Sequence, residues 1–282
     1  MYEEFYRFKE LPFSVTPDPR FLYRSASHRD ALAYITYGVF QKKGFIALTG
    51  EVGVGKTTVV KAFLDLFHPS LETAFIFSTK FPFEQLLYML CKDFGIDVDG
   101  MNKAEMLLAL NGFLLRQYEN KRNAVLIIDE AQNLSVDALE ELRMLSNLET
   151  RDRKLLQIML VGQPELETIL NMNELRQLRQ RIPGICRITH LNREEVESYI
   201  KFRLDLVSLD DTNGVRFTED SFDEIFHYSN GVPRLINILC DRVLLIGYVA
   251  NKKTIDGRIV REGIRDLEST DLSVGDRKVG PR

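Results

Sequence analysis

The sequence predicts an α/β fold, a parallel five-stranded sheet between helices, followed by an all-helical second domain. Three observations carry that prediction. Five short apolar runs, at 45–49, 73–78, 124–128, 155–161 and 185–190, alternate with stretches whose apolar residues recur at helical spacing, the pattern of successive βα units. Two of the runs, AVLII and LLQIMLV, lack the polar alternation of a half-exposed strand and read as strands buried on both faces. After Leu191 the short runs stop and helical periodicity alone remains.

Residues 1–43 form a leader packed on the core. Pro12, Pro17 and Pro19 forbid a long helix there, and Phe13, Phe21, Leu22 and Tyr23 supply its packing groups. A helix follows through Ala31, Leu32, Ile35 and Val39 and stops at Gly44. The leader either clamps the edge of the core or walls the pocket for a purine base.

The stretch 45–58 reads FIALTGEVGVGKTT and organises the rest. Gly50, Gly55, Lys56 and Thr57 complete G-x-x-x-x-G-K-[ST], the phosphate-binding loop. Glu51, Val52, Gly53 and Val54 form its bend, where consecutive backbone N–H groups must turn inward on phosphates, a conformation that glycines permit. Lys56 adds a charge on the β- and γ-phosphates, the Thr57 hydroxyl completes Mg²⁺ coordination, and Thr58 lies in the first turn of a helix whose positive end faces the same anion. ATP and Mg²⁺ are the ligands this predicts. A dinucleotide fingerprint is excluded, since Thr58 stands where the third glycine would be.

The run at 124–128 ends in Asp129-Glu130. A buried parallel strand opens its carboxyl end on the ligand crevice, so Asp129 is placed to hold Mg²⁺ and Glu130 to polarise an attacking water. The next buried strand, 155–161, ends at Gly162-Gln163; Gln163 either reaches the γ-phosphate or the water, or caps the turn before Pro164. Helix 174–182 carries Arg176, Arg179 and Arg181. Arg181, with Arg179 as its alternative, is expected to enter a neighbouring subunit's site and stabilise transition-state charge. Beyond Leu191, helices start at Asn192, at Thr218, at Pro233 and near Thr254, and the stretch 211–214 reads as a turn. Arg234, in GVPRLIN, either reports the γ-phosphate or is a surface arginine. The boundaries that follow are a nucleotide-binding domain at 44–190, a helical lid at 191–268 and a tail at 269–282.

Composition narrows the function classes. With 37 basic and 41 acidic residues the formal net charge is −4, which gives no global footprint for nucleic acid; Arg143, Arg151, Arg153 and Lys154 still allow a local phosphate-binding patch. Cys91, Cys186 and Cys240 lie far apart without metal-type spacing and read as reduced, packed thiols. Four scattered histidines offer no zinc site. The amino terminus, Met-Tyr-Glu-Glu, has no signal pattern, and 243–250 is too short an apolar run to span a bilayer, so the chain reads as cytoplasmic.

Taken together, PFSVTPDPRFLY, GEVGVGKTT, IIDEAQNL, LVGQPEL, LRQRI and GVPRLIN resemble an AAA+ ATPase, and more narrowly the ExeA/GspA family of general-secretion ATPases with its pilus-biogenesis and exosortase-associated relatives. The resemblance covers about residues 1–268. It implies ATP hydrolysis, with Gln163 as sensor 1, Arg181 as arginine finger and Arg234 as sensor 2. It also implies a homo-oligomer with sites between subunits and a protein partner among membrane-associated secretion or pilus components. Secretion members continue into a membrane span and a periplasmic peptidoglycan-binding region, so the chain reads as their cytoplasmic piece or as a soluble relative. A DNA-associated AAA+ regulator of transposition or initiation type is the alternative.

Overall fold

The computed structural model of the chain describes residues 1–77, 81–151, 153–209 and 214–275, with side chains described as far as 269. The turn expected at 211–214 thus lies outside the described residues, Gly214 excepted, as does everything after 275. Contacts divide the chain into two units, one of Ala26–Val52 and Lys56–Thr189, the other of Met1–Ser25, Gly53–Gly55 and the residues from His190 onward.

The chain opens with α1 (Tyr2–Tyr6), then enters the first unit at α2 (Ala26–Phe40). There it alternates as β1 (Phe45–Gly50), α3 (Lys56–Phe67), β2 (Leu71–Ile76), α4 (Phe83–Asp93), α5 (Lys103–Glu119), β3 (Asn123–Ile128), α6 (Val136–Leu145), β4 (Leu156–Gly162), α7 (Glu165–Leu170), α8 (Arg176–Arg179) and β5 (Ile185–Ile188). The strands form a parallel sheet in the order β2-β3-β4-β1-β5, with Phe45 opposite Ile158 and Ala124 opposite Leu156. Every residue of β1 and of β4 is buried, as their unbroken apolar runs predict. Gln157 is the polar exception: 1% exposed, its side chain accepts from Gly44 N at 2.8 Å and donates to Lys154 O at 3.3 Å, which satisfies the buried amide. Leu86, Leu87, Leu90, Leu110, Leu139 and Leu142 press their helices onto the sheet. Polar caps fix where the helices begin: Asn102 and Glu105 form a capping box on α5, and Ser135 Oγ accepts from Ala138 N on α6. Because the strands are parallel, their carboxyl ends share one edge.

The second unit contains α9 (Arg193–Val207), β6 (Arg216–Phe217), α10 (Glu219–Ser229), α11 (Pro233–Val249), β7 (Thr254–Ile255) and α12 (Gly257–Gly275). Three features differ from the sequence-based expectation. The unit is not wholly helical, since β6 and β7 pair in parallel, and the last helix starts at Gly257 rather than near Thr254 and runs to Gly275, past 268. The leader's first 25 residues, expected on the nucleotide-binding core, belong to this unit. Their aromatic residues explain why: Tyr6, Phe8, Phe13 and Phe21 share one apolar cluster with Ile200, Leu204, Ile236 and Leu239. Polar ties fix the packing. Lys9 N donates to Val207 O at 2.9 Å, Tyr6 Oη to Lys252 O at 3.1 Å, and the buried Arg203 guanidinium to Pro12 O at 2.6 Å and Ser14 O at 3.2 Å.

Candidate functional site

The carboxyl ends of β1, β3 and β4 bring the predicted groups together. Past Gly50 the chain bends through Gly53 and Gly55, both at positive φ (85° and 100°), into α3. A Cβ built on Gly53 would lie 2.7 Å from Cβ of Arg234, whose backbone N donates to Gly53 O at 3.2 Å. No side chain fits there, in space or in dihedral. Val54 is buried while Glu51 and Val52 are exposed, so the bend shows backbone and keeps its one apolar anchor inward.

Lys56 is 6% exposed and its ammonium donates to Gly50 O at 2.8 Å and Glu51 O at 2.9 Å. Burial holds this ammonium below the ordinary lysine range, against the opposing pull of the Glu130, Asp129 and Glu51 carboxylates. Beside it Thr57 Oγ1 donates to Asp129 Oδ2 at 2.8 Å, and Thr58 is half-buried in α3. A hydroxyl and a buried carboxylate converging next to a phosphate loop form the hard oxygen donor set that Mg²⁺ takes together with nucleotide phosphates, so the residues fit the cation.

Glu130 stands in the left-handed region, φ 55° and ψ 38°, and its N donates to Asp129 Oδ1 at 2.9 Å. A non-glycine residue there costs about 1–2 kcal/mol, and such strain concentrates at functional positions. The carboxylate receives two amides on the same oxygen: Gln132 Nε2 at 2.5 Å and Gln163 Nε2 at 3.1 Å both donate to Glu130 Oε2. Gln132 Oε1 in turn accepts from Gln163 N at 3.1 Å. Gln163 therefore joins the acid rather than only the turn before Pro164.

Arg181 Nη1 donates to Arg143 O, Ser146 Oγ and Asn147 Oδ1 at 3.1, 2.6 and 2.7 Å, all of its own chain, at the carboxyl end of α6. Arg179 Nη1 donates to Ile182 O at 3.1 Å, and Arg176 is exposed. Arg234 is exposed in the first turn of α11.

The AAA domain family model matches residues 40–170. Over 273 residues, 94% of this chain, the sequence is 38% identical to general secretion pathway protein A of Aeromonas hydrophila. The chain has the AAA+ fold, and along 94% of its length it is similar to general secretion pathway protein A. It spans 49% of that relative's length. A RuvB subunit of the Holliday junction branch migration complex from Mycoplasmopsis synoviae is 26% identical over 34% of this chain and 29% of its own. Among solved structures, the ADP form of the Aeropyrum pernix ORC2 protein superimposes with a TM-score of 0.69 at 16% identity, over 92% of this chain and 73% of that one. The Thermotoga maritima RuvB branch migration motor gives 0.52 at 18%, over 92% and 74%. At such identities these structures speak for the AAA+ fold, which the sheet order already displays.

One member of this AAA+ site escapes sequence reasoning. Gln132 stands two residues after Glu130 in DEAQ, a spacing that on an extended strand would put it on the same face but roughly 6.6 Å further along. The 3₁₀ turn Ala131–Asn133 brings it back. The amide's proximity to the acid in sequence was its one available signal.

Proposed function

We propose that the chain binds ATP with Mg²⁺ and hydrolyses it, and that the nucleotide cycle drives assembly or secretion-apparatus partners at the inner membrane, the chain being peripheral to that membrane through a partner. The single observation that carries the hydrolysis is the Glu130 carboxylate, set at the carboxyl end of β3 and held by two glutamine amides beside Lys56, Thr57 and Asp129. In this reading the bend 50–55 cradles phosphates with backbone N–H groups, and Lys56 leaves Gly50 O and Glu51 O to meet them. Thr57 and Asp129 would hold Mg²⁺, which when bound offsets phosphate charge. Glu130 takes up the proton of the attacking water, Gln163 orients that water, and Arg234 senses the γ-phosphate. Arg179 or Arg181 completes a neighbouring copy's site; of the two, Arg179 has the smaller commitment to its own chain, a single bond to Ile182 O.

The secretion pathway enters from the relative's name and the 38% identity. Among the described residues no helix is long and apolar enough to cross a membrane. The test uses two variants and a nucleotide-binding assay beside a phosphate-release assay. Lys56→Ala is expected to lose ATP binding, and Glu130→Gln to bind ATP while turning over about 10²–10⁴-fold more slowly. Undiminished turnover in Glu130→Gln would remove this residue from the chemistry. A second reading, an AAA+ protein that works on DNA, has one observation in its favour, the basic turn after α6.

A further inference from the structure

At the sheet edge opposite the phosphate loop, the amino ends of β1 and β4 border a cleft of about 620 Å³ lined by Phe40, Lys42, Glu149, Arg151, Arg153 and Lys154, with Gln41 and Thr150 between them. Four cations face one carboxylate there in a chain whose net charge is −4. Asp152, between the two arginines in sequence, lies outside the described residues and lowers that excess by one at most.

The cleft is built on firm ground. Glu149 and Lys154 form an antiparallel bridge and an ion pair, Thr150 N donates to Arg153 O at 2.9 Å, and Arg151 and Arg153 are exposed. Buried Gln157 ties Lys154 to Gly44, just after Lys42 and Lys43. The buried amide thus holds the backbones of the two cation-bearing loops side by side.

We propose that this cleft takes the phosphodiester backbone of a nucleic acid. The inference rests on the DNA reading above and gives it a location. Guanidinium pairs grip phosphate oxygens in a fixed fork. The lining offers charge and hydroxyl rather than a converging set of amide and carboxylate groups, so the contact is with backbone and independent of sequence. A membrane surface is the poorer match because the lining is concave, and the one apolar ring in it, Phe40, packs against Phe67 at 5.0 Å between centroids. With β4 seven residues long, roughly 23 Å at about 3.3 Å per residue separates the cleft from the Gln163 end. Nucleic acid and nucleotide are therefore bound together without competition.

The experiment is fluorescence anisotropy of a labelled 30-base duplex and of its single strand, with the full chain, the Arg151→Glu/Arg153→Glu double variant and Lys56→Ala. Expected for the full chain is sequence-independent binding that weakens roughly 40-fold between 50 and 200 mM salt, as for about three neutralised phosphates. The double variant is expected to lose about ten-fold or more in affinity at fixed salt while keeping ATP binding, which shows that it folds; Lys56→Ala is expected to bind the oligonucleotides normally. Binding that the double variant retains would overturn the cleft assignment and leave the DNA reading standing. No binding of either oligonucleotide by the full chain would overturn both. Binding to vesicles of anionic phospholipid that the double variant loses, with none to oligonucleotides, would overturn the assignment in favour of a membrane surface.

Discussion

A carboxylate that must take a proton from water has to be held still without being neutralised. In the proposed role Glu130 meets that demand with two amides on Oε2, from Gln132 and Gln163. The two amide donors fix the direction of the carboxylate. Gln132→Ala removes one donor and also the acceptor of Gln163 N, so both water-directing groups lose their place. The expected outcome is ATP affinity within about two-fold of the parent and turnover down by about ten-fold or more, as small displacements of catalytic groups cost rates of that order. Parallel titration of ATP and measurement of kcat separate the two; a change in KM with kcat intact would assign Gln132 to binding instead. Lys56, Thr57, Asp129 and Glu130 were legible in the sequence because each occupies a fixed offset from a glycine or a strand end. Gln132 was not, because its approach to Glu130 depends on a left-handed residue followed by a 3₁₀ turn, and neither leaves a periodicity.

The elements show the same division between what repeats and what does not. Helices and strands with three or more turns or pairs of apolar positions were readable, while the two-residue strands β6 and β7 carry too short a pattern to see, and their pairing turned an expected helix start at Thr254 into a strand. The leader's partner was hidden for another reason: prolines erase periodicity, so Phe13 and Phe21 announced burial without saying against what. Close approach between elements can be tested at Gly162, the last residue of β4. A Cβ there would lie 2.9 Å from Gln132 Oε1 and from a Leu166 methyl. Gly162→Ala is expected to push Gln132 off Glu130 and to copy the turnover loss of Gln132→Ala, with binding of ATP preserved. A second tie joins α7 to β1 and β5: Glu167 accepts from Thr49 Oγ1 and Arg187 Nε, both at 2.7 Å. The Arg187 guanidinium first, then the Thr49 hydroxyl, hold the Glu167 carboxyl below the usual glutamate range. A carboxyl whose pKa is lowered on folding adds stability above its unfolded value, about 4.3, and loses it as pH falls through the folded value. Arg187→Ala is therefore expected to flatten the fall of unfolding free energy below about pH 4.3, read from denaturant melts across the acid range; an unchanged slope would mean that other carboxylates dominate it.

At the scale of the whole molecule, the proposal that a neighbouring copy completes each site can be tested. Arg181 spends its Nη1 on three acceptors at the end of α6, so Arg181→Ala should destabilise even an isolated chain, by about 1–3 kcal/mol for the polar groups left behind, measurable as a lower denaturation midpoint at low protein concentration. Arg179→Ala gives up one bond and should leave that midpoint nearly unchanged, while turnover per chain falls if the guanidinium serves a neighbour. Complementation then decides. Glu130→Gln chains keep both arginines but have an inactive site, and Arg179→Ala chains keep the acid but lack the donor. In an equimolar mixture that assembles at random, each Arg179→Ala site has one of the two variants as its donor neighbour, so its rate should recover to about half the parent value. The recovery should vanish on dilution below assembly, and the parent's turnover per chain should fall on the same dilution. Mixing that restores nothing at any concentration, with Arg179→Ala inactive throughout, would place the arginine's work within its own chain; the same experiment with Arg181→Ala then asks whether the α6 cap is released on assembly, since recovery there requires Arg181 to leave Ser146 and Asn147 for the neighbouring site.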